Sequence, residues 1–387
     1  MHIAFFDYVF ERGKPGITGL SANVWEMAGE MAKLGHKVHV VGPYAEGTRG
    51  PKHVSLHGFS PPEPFYRNIV GHTLLALQGA LLIRRELADV DLVHAPEYLS
   101  TAVLTCVSSH PVVLSTPGNI YERRQSGANP FDASATAALM VAARVSARQC
   151  ARIIAISEDM RDWWERTGAT PEKIVVIHHG VDAELFRPDA SASRCLGWDQ
   201  AKHNILFVGR LSREKGVDLL LTAFREIARD HPETKLHIVG DGPLRHVYES
   251  MAAHLGIAGS VDFTGWIEKR GLPRYYSAAD ICVVPSYTEP LGKVVLEALA
   301  CGTPVLGARV GGIPDIVRPG ENGVLFDAGD ALALGSALRL VLQEPELLQE
   351  MSRHARACVE AHHTWSRVVR RIVEEVYTTV IASQSRA

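Results

Sequence analysis

The sequence predicts an α/β protein of two doubly wound parallel-sheet domains. Short apolar runs of strand length alternate with longer helical stretches through most of the chain, the signature of parallel sheets covered by helices. That alternation stops at a polar, small-residue stretch near residue 190 and then begins again. At 387 residues the chain also exceeds what one core comfortably holds. A formal net charge of -3 asks for no nucleic-acid partner.

In the first half, His2 to Phe6 reads as a strand, with no basic n-region or cleavage site of a signal peptide before it. A glycine-containing loop from Asp7 leads to a helix that begins at Gly19 and ends at Gly35, and Lys37 to Val41 follows as the next strand. Gly16 and Gly19 allow a ligand close to the backbone, but they do not make a GxGxxG. The run Ile69 to Ile83 is the most apolar helix and falls short of the roughly 20 residues of a membrane span. It reads as a buried helix, with peripheral membrane contact as the lesser alternative.

Asp89-Val90-Asp91 precedes its strand rather than following it, so it reads as a helix end and not a metal site. Further strands fall at Leu92-Val93-His94, Pro111 to Leu114, Arg152 to Ala155 and Ile174 to Ile177, and Ser157 caps a helix carrying Met160, Trp163 and Trp164. The polar residues where strands end are candidates for an acceptor side: Asp7, His94, Glu97, Tyr98, Thr116, Asn119, Tyr121 and Glu122. Satisfying backbone groups is the more ordinary duty for any one of them.

The first domain is placed at 1-188 and the second at 200-364, with the terminal helix 365-387 packing back on the first. His178-His179 has no further ligands at a metal-binding spacing and reads as structural. The six cysteines are scattered without a CxxC, as expected of reduced thiols in a cytoplasmic protein.

The second half opens with the strand Asn204 to Val208, the loop Gly209-Arg210-Leu211-Ser212-Arg213-Glu214-Lys215-Gly216 and a helix from Val217. Arg210 and Lys215 flank that loop at a strand's carboxyl end, where two cations would neutralise a diphosphate. Leu236 to Val239 runs into Gly240-Asp241-Gly242-Pro243, and a further strand ends near Trp266 and Ile267.

Ile281 to Val284 then leads into Pro285 to Thr303, which forms the loop and helix before the next strand at Val305. The amides at Leu291, Gly292 and Lys293 open that helix and favour an anion, with Val294 in the same turn. Glu289 on the loop and Glu297 inside the helix are two carboxylates some distance apart, suited to two sets of hydroxyls flanking a diphosphate. A helix cap and a solvated face are the ordinary alternatives.

Gly209-Arg210-Leu211 with Lys215-Gly216, Gly240-Asp241-Gly242-Pro243, the pair Glu289 and Glu297, Gly311-Gly312-Ile313-Pro314-Asp315 and Gly320-Glu321-Asn322-Gly323 together resemble family 4 of the retaining glycosyltransferases. These have the GT-B fold, two Rossmann-like domains facing a cleft. By this resemblance the second domain binds a nucleotide sugar, UDP-linked first and GDP-linked second. Arg210 and Lys215 would hold the diphosphate, Glu297 the ribose, Glu289 the sugar, and Trp266 with Ile267 the base. Gly19, Gly209 and Gly240 would let backbone close to the donor, and no metal or cofactor would be needed. The first domain would take the acceptor, a small molecule, lipid or glycan, through residues such as Asp7, Thr116, Asn119 and Tyr121.

Two positions depart from the family pattern. Ser115-Thr116-Pro117-Gly118-Asn119 stands where many members have a histidine, which makes His94 a candidate substitute near the reacting carbon. Leu291 stands where an aromatic is common. The expected activity is that of a hexosyltransferase-type enzyme that moves a sugar to a hydroxyl and leaves an α-linkage. A nucleotide-sugar-binding protein with weak or no transfer and a GT-B nucleotide-sugar epimerase are the alternatives.

Overall fold

Two parallel sheets organise the chain in a computed structural model that describes residues 1–7, 19–44, 48–59, 69–116, 133–198 and 203–384. The described residues divide into unit 1, Met1–His179 with Trp365–Ala387, and unit 2, Gly180–Thr364.

Unit 1 runs β1 (His2–Phe6), α1 (Gly19–Lys33), β2 (Lys37–Gly42), β3 (Val54–Gly58), α2 (Ile69–Glu86), β4 (Leu92–Ala95), α3 (Tyr98–Val107), β5 (Val112–Thr116), α4 (Ala133–Gln149), β6 (Arg152–Ala155), α5 (Glu158–Thr167) and β7 (Ile174–Val176). Its sheet order is β3-β2-β1-β4-β5-β6-β7, with every pair parallel. On one face, Val24, Met27 and Met31 of α1 pack with Ile3, Phe5 and Val38. On the other, Leu75, Ala76, Ala80 and Ile83 of α2 and Leu104 of α3 pack with Ala4, Phe6 and Val93. Gly79 brings α2 down onto β1, since a Cβ there would lie 2.0 Å from the Phe6 ring. Ser157 caps α5 as expected, its hydroxyl accepting from the Met160 amide.

Unit 2 runs α6 (Ala192–Leu196), β8 (His203–Val208), α7 (Val217–Asp230), β9 (Thr234–Val239), α8 (Arg245–His254), β10 (Val261–Gly265), α9 (Leu272–Ala278), β11 (Ile281–Val284), α10 (Lys293–Ala300), β12 (Val305–Ala308), α11 (Ile313–Ile316), β13 (Gly323–Phe326), α12 (Ala331–Gln343) and α13 (Pro345–His362). The sheet order β10-β9-β8-β11-β12-β13 repeats the winding of unit 1. β11 and β12 are buried along their whole length, which is why both read as unbroken apolar runs. Val217, Leu220, Leu221, Phe224 and Ile227 form the core stripe of α7.

The chain then returns to unit 1 through α14 (Trp365–Arg371), a π turn (Ile372–Tyr377) and α15 (Thr378–Gln384). Trp365, Val368, Val369, Ile372, Val376, Tyr377 and Val380 join the core that holds Ile3 and Phe5. Burying such side chains stabilises the fold by about 1.5–3 kcal/mol each.

Three features differ from the sequence reading. The stretch 180–198, expected to close the first domain and link to the second, is packed into unit 2. Arg356 accounts for that: its guanidinium donates to the carbonyls of Phe186 (2.9 Å), Ala183 (3.2 Å) and Ala300 (2.8 Å), while the Phe186 ring meets Tyr276 edge-on. β3 was not expected, because Val-Ser-Leu-His-Gly is a half-exposed edge strand without a strong apolar run. Finally, α2 is buried on one face only, and Val70, Leu74 and Leu81 are exposed on the other.

Candidate functional site

In unit 2 the chain leaves β8 and β11 toward opposite sides of the sheet, so the crevice of this doubly wound fold lies at their carboxyl ends. Two loops meet there, 209–216 after β8 and 285–292 after β11. The Tyr287 amide donates to the Glu214 carbonyl (2.8 Å) and its hydroxyl to Asp218 Oδ2 (3.1 Å). Gly216 turns the first loop at φ +66°, and a Cβ there would lie 2.0 Å from the Pro285 carbonyl oxygen. Gly311 holds φ +50° with the Glu289 carbonyl oxygen 1.7 Å from where a Cβ would stand, and the Gly312 amide donates to that carbonyl (3.2 Å). The neighbouring loops join through Gly209 N–H to the Val239 carbonyl (3.0 Å) and Gly240 N–H to the Gly265 carbonyl (2.8 Å).

This close backbone packing brings Lys215 and Glu289 together. The Lys215 ammonium donates to Glu289 Oε2 at 2.7 Å, and Ser286 Oγ donates to the same oxygen at 3.3 Å. Both charged side chains keep part of their surface open. Arg210 is exposed at the start of the same loop, with no ion-pair partner among the described residues. Gly292, at φ +92°, precedes α10, with Leu291 buried and Lys293 and Val294 half-buried.

Glu297, one turn into α10, accepts from the Tyr276 hydroxyl at 2.8 Å. Burial pushes the Glu297 carboxyl above its ordinary pKa, opposed by that hydrogen bond and by the charges of Lys293 and Lys269. Tyr276 is wholly buried and its carbonyl accepts from Thr303 Oγ1 (2.6 Å), so the phenol is fixed before it meets the carboxylate. Trp266 is 69% exposed and Ile267 half-buried in the segment after β10. Tyr276 was missed at the sequence level, since an aromatic on a short helix gives no sign of which carboxylate it will reach.

The first-half candidates are arranged differently. His94 is not an open residue: it is fully buried, its Nδ1 is bonded to the Tyr377 hydroxyl and its Nε2 lies 2.8 Å from Ser115 Oγ. Its ring stacks on Phe5, and burial lowers its pKa to about 3. With both nitrogens engaged in the core, it does not stand in for the histidine that the resemblance expects. Asp7 is also fully buried, and its Oδ2 accepts from Trp25 Nε1 (3.0 Å) and the Tyr44 hydroxyl (2.5 Å).

Glu97 caps α3, and Asp91 Oδ2 accepts from the His2 amide (2.7 Å). Among the described residues no group of three or more His, Cys, Asp or Glu could hold a metal ion. Thr116 ends β5 and Gly19 begins α1, while Asn119 and Tyr121 lie outside the described residues. Asn23 Nδ2 and His179 Nδ1 are 3.1 Å apart in the interior of unit 1, a structural use of that histidine.

Two doubly wound sheets of one strand order, with a cation–carboxylate pair at the switch point of the second, are the GT-B class of fold. The model for Glycosyltransferase Family 4 matches residues 17–185 and that for glycosyl transferases group 1 matches residues 191–357, so that together they take in most of the chain. The chain belongs to the family 4, group 1 glycosyltransferases.

A D-inositol 3-phosphate glycosyltransferase of Geodermatophilus obscurus is 36% identical over 245 residues, 60% of this chain and 53% of the relative. One from Acidothermus cellulolyticus is 38% identical over 231 residues, 57% of this chain and 51% of the relative. The chain thus spans about half the length of the curated relatives it matches. Among solved structures, a sucrose-phosphate synthase from Thermosynechococcus elongatus is similar with a TM-score of 0.81 and 24% identity, over 98% of this chain and 99% of that one. HepE of Anabaena, solved with UDP, is similar with a TM-score of 0.76 and 21% identity, over 98% and 100%. At these identities the structures bear on the fold.

Proposed function

We propose that the protein is a retaining glycosyltransferase that moves a sugar from a nucleoside-diphosphate donor, UDP-linked first and GDP-linked second, to an acceptor hydroxyl without a metal. One observation carries the reading: Lys215 and Glu289 are paired at the switch point of unit 2, with Arg210 exposed on the same loop. A diphosphate needs fixed cations, and a sugar needs a carboxylate close to them. Glu297 takes the ribose hydroxyls, and the amides at Leu291 to Lys293 meet phosphate and sugar. The exposed indole of Trp266 offers a face to the base. The UDP found with HepE favours uridine among the bases. The relatives' action on inositol 3-phosphate makes a phosphorylated cyclitol the first acceptor to try, and the cytoplasm is the expected compartment.

In the reaction, the bond from the anomeric carbon to the phosphate oxygen breaks and the bond to the acceptor oxygen forms on the same face. The departing phosphate oxygen takes the acceptor's proton. Arg210 and Lys215 stabilise the charge that develops on the diphosphate, so each contributes most in the transition state. Donor binding without transfer is the second reading, motivated by Ser115 in place of the expected histidine and by His94 being occupied in the core.

The test is a thermal-shift panel of UDP-, GDP-, ADP- and dTDP-sugars, followed by transfer assays with cyclitol phosphates and other hydroxyl acceptors. Ligands that bind the native state raise its melting temperature by mass action. The expected result is a shift with one base, lost in Glu297→Ala, and consumption of that donor only when acceptor is present. No shift with any donor overturns the reading. A shift without consumption leaves the binding protein, and sugar isomerisation without acceptor leaves the epimerase.

A further inference from the structure

The outer surface of unit 1 carries an apolar face that the donor site does not use. On α2, Val70, Leu74 and Leu81 are 65%, 37% and 50% exposed, and Leu77 is half-buried between them. At spacings of four, three and four residues, these side chains share one face of the helix. The opposite face is already buried on the sheet through Leu75, Ala76, Gly79, Ala80 and Ile83. The exposed side also carries Thr73 and Gln78, but its central stripe is as apolar as the side on the sheet, and an apolar stripe on a helix is normally covered.

Its neighbours extend the face. α3 lies against both α2 and α4, and Ser146 Oγ of α4 donates to the Tyr98 carbonyl (2.7 Å) while Thr105 Oγ1 of α3 donates to Gln149 Oε1 (3.2 Å). On α4, Val141 is 59% exposed beside the exposed Ala137 and Ala138.

Charge decides what covers this face. Arg84 on α2 and Arg144 and Arg148 on α4 are exposed and make no ion pair among the described residues. α3 and α4 contain no Asp or Glu, and the single acid of α2, Glu86, is bonded to Arg85. Exposed aliphatic side chains bordered by arginines, with almost no acid among them, fit a surface that is apolar below and anionic above. A lipid interface also accepts a stripe one helix wide without matched relief, which a protein partner would need. No helix of the described residues is long and apolar enough to cross a membrane, so contact would be by side chains dipping from a helix lying on the surface.

We propose that the outer face of α2 and α4 docks unit 1 on a membrane surface containing anionic lipid. The aliphatic residues Val70, Leu74, Leu77, Leu81 and Val141 enter the acyl boundary, and Arg84, Arg144 and Arg148 meet headgroup phosphates.

The test is flotation of the full chain with phosphatidylcholine vesicles and with vesicles that also contain phosphatidylglycerol. Three unpaired cations near an anionic surface predict partitioning roughly a hundredfold stronger on the mixed vesicles, falling as salt is raised. Leu74→Glu/Leu81→Glu should abolish flotation, and Arg84→Gln/Arg144→Gln/Arg148→Gln should remove the preference for anionic lipid, each with an unchanged melting temperature. Should the leucine variant fail to fold, the wild-type comparison and the arginine variant still decide.

Equal partitioning on both vesicle types, or none on either, overturns the proposal. So does a wild-type dimer in solution that Leu74→Glu dissociates, since the face would then belong to a second copy of the chain. Flotation needs neither donor nor acceptor, so its outcome stands apart from that of the transferase assays.

Discussion

At the switch point of unit 2, Lys215, Glu289 and Glu297 keep part of their surface open while well-placed donors hold the carboxylates: an ammonium and a hydroxyl for Glu289, a phenol for Glu297. At the corresponding edge of unit 1, Asp7 and His94 are fully buried and bonded to Trp25, Tyr44, Ser115 and Tyr377. The sheets have the same winding, yet one edge presents charge and the other has absorbed it into the core. The difference lies in loop chemistry. In unit 2, Gly216 and Gly311 let two loops close until backbone meets backbone, which projects the intervening side chains outward. In unit 1, large aromatic residues close over the strand ends and take up their polar groups.

The largest expected effect tests the open edge. Lys215→Ala should lower turnover by about a hundredfold or more, the scale of losing one stabiliser of developing charge. It also leaves Glu289 without its cation, so donor affinity should fall in the same variant. Steady-state kinetics with the donor identified by thermal shift measures both, and near wild-type turnover would remove Lys215 from the mechanism.

The closed edge should answer in stability instead. His94→Gln should cost about 1–3 kcal/mol, the range for disturbing a buried hydrogen-bonded group, and leave donor affinity unchanged. Wild-type stability should also fall as pH drops from about 6.5, the unfolded value, toward about 3 for His94 and about 4 for His39. In that window the unfolded chain takes up protons that the native state, with these imidazoles held neutral by burial, does not. The sign is therefore loss of stability on acidification, complete below the native values. Melting temperatures between pH 7 and pH 4 check it. Loss of donor binding in His94→Gln at an unchanged melting temperature would erase the contrast between the two edges.

How much of this the sequence revealed follows the same division. The glycines around Lys215 and Glu289 are legible because each marks a place where backbone must approach backbone, and that constraint survives without knowledge of the fold. The buried strands of both sheets are legible as apolar runs. His94 was not legible as a core residue, since a histidine at a strand end looks the same whether it faces a cleft or a tyrosine from a helix nearly three hundred positions later. The open face of α2 was hidden for a related reason: Val70, Leu74, Leu77 and Leu81 are as apolar as the residues on the sheet side, so the pattern records little preference for which side the sheet will cover. β3 failed as a signal because an edge strand needs only half its residues buried.

The smallest effect sharpens the contrast within unit 2 itself. Tyr276 touches no donor group in the proposed site, but it fixes Glu297 Oε2 at 2.8 Å and so directs the remaining carboxylate oxygen toward the ribose. Tyr276→Phe keeps the ring against Phe186 and removes only the hydroxyl. Donor KM should rise about three- to tenfold while kcat at saturating donor stays near wild type, the pattern of lost uniform binding. The hydrogen bond favours the ionised carboxylate, so its removal should raise the pKa of Glu297 further. The acid limb of donor binding should therefore move to higher pH in the variant. A general loosening of the fold would weaken binding at every pH and leave that limb where it was, so the pH profile separates a residue that positions Glu297 from one that only fills space.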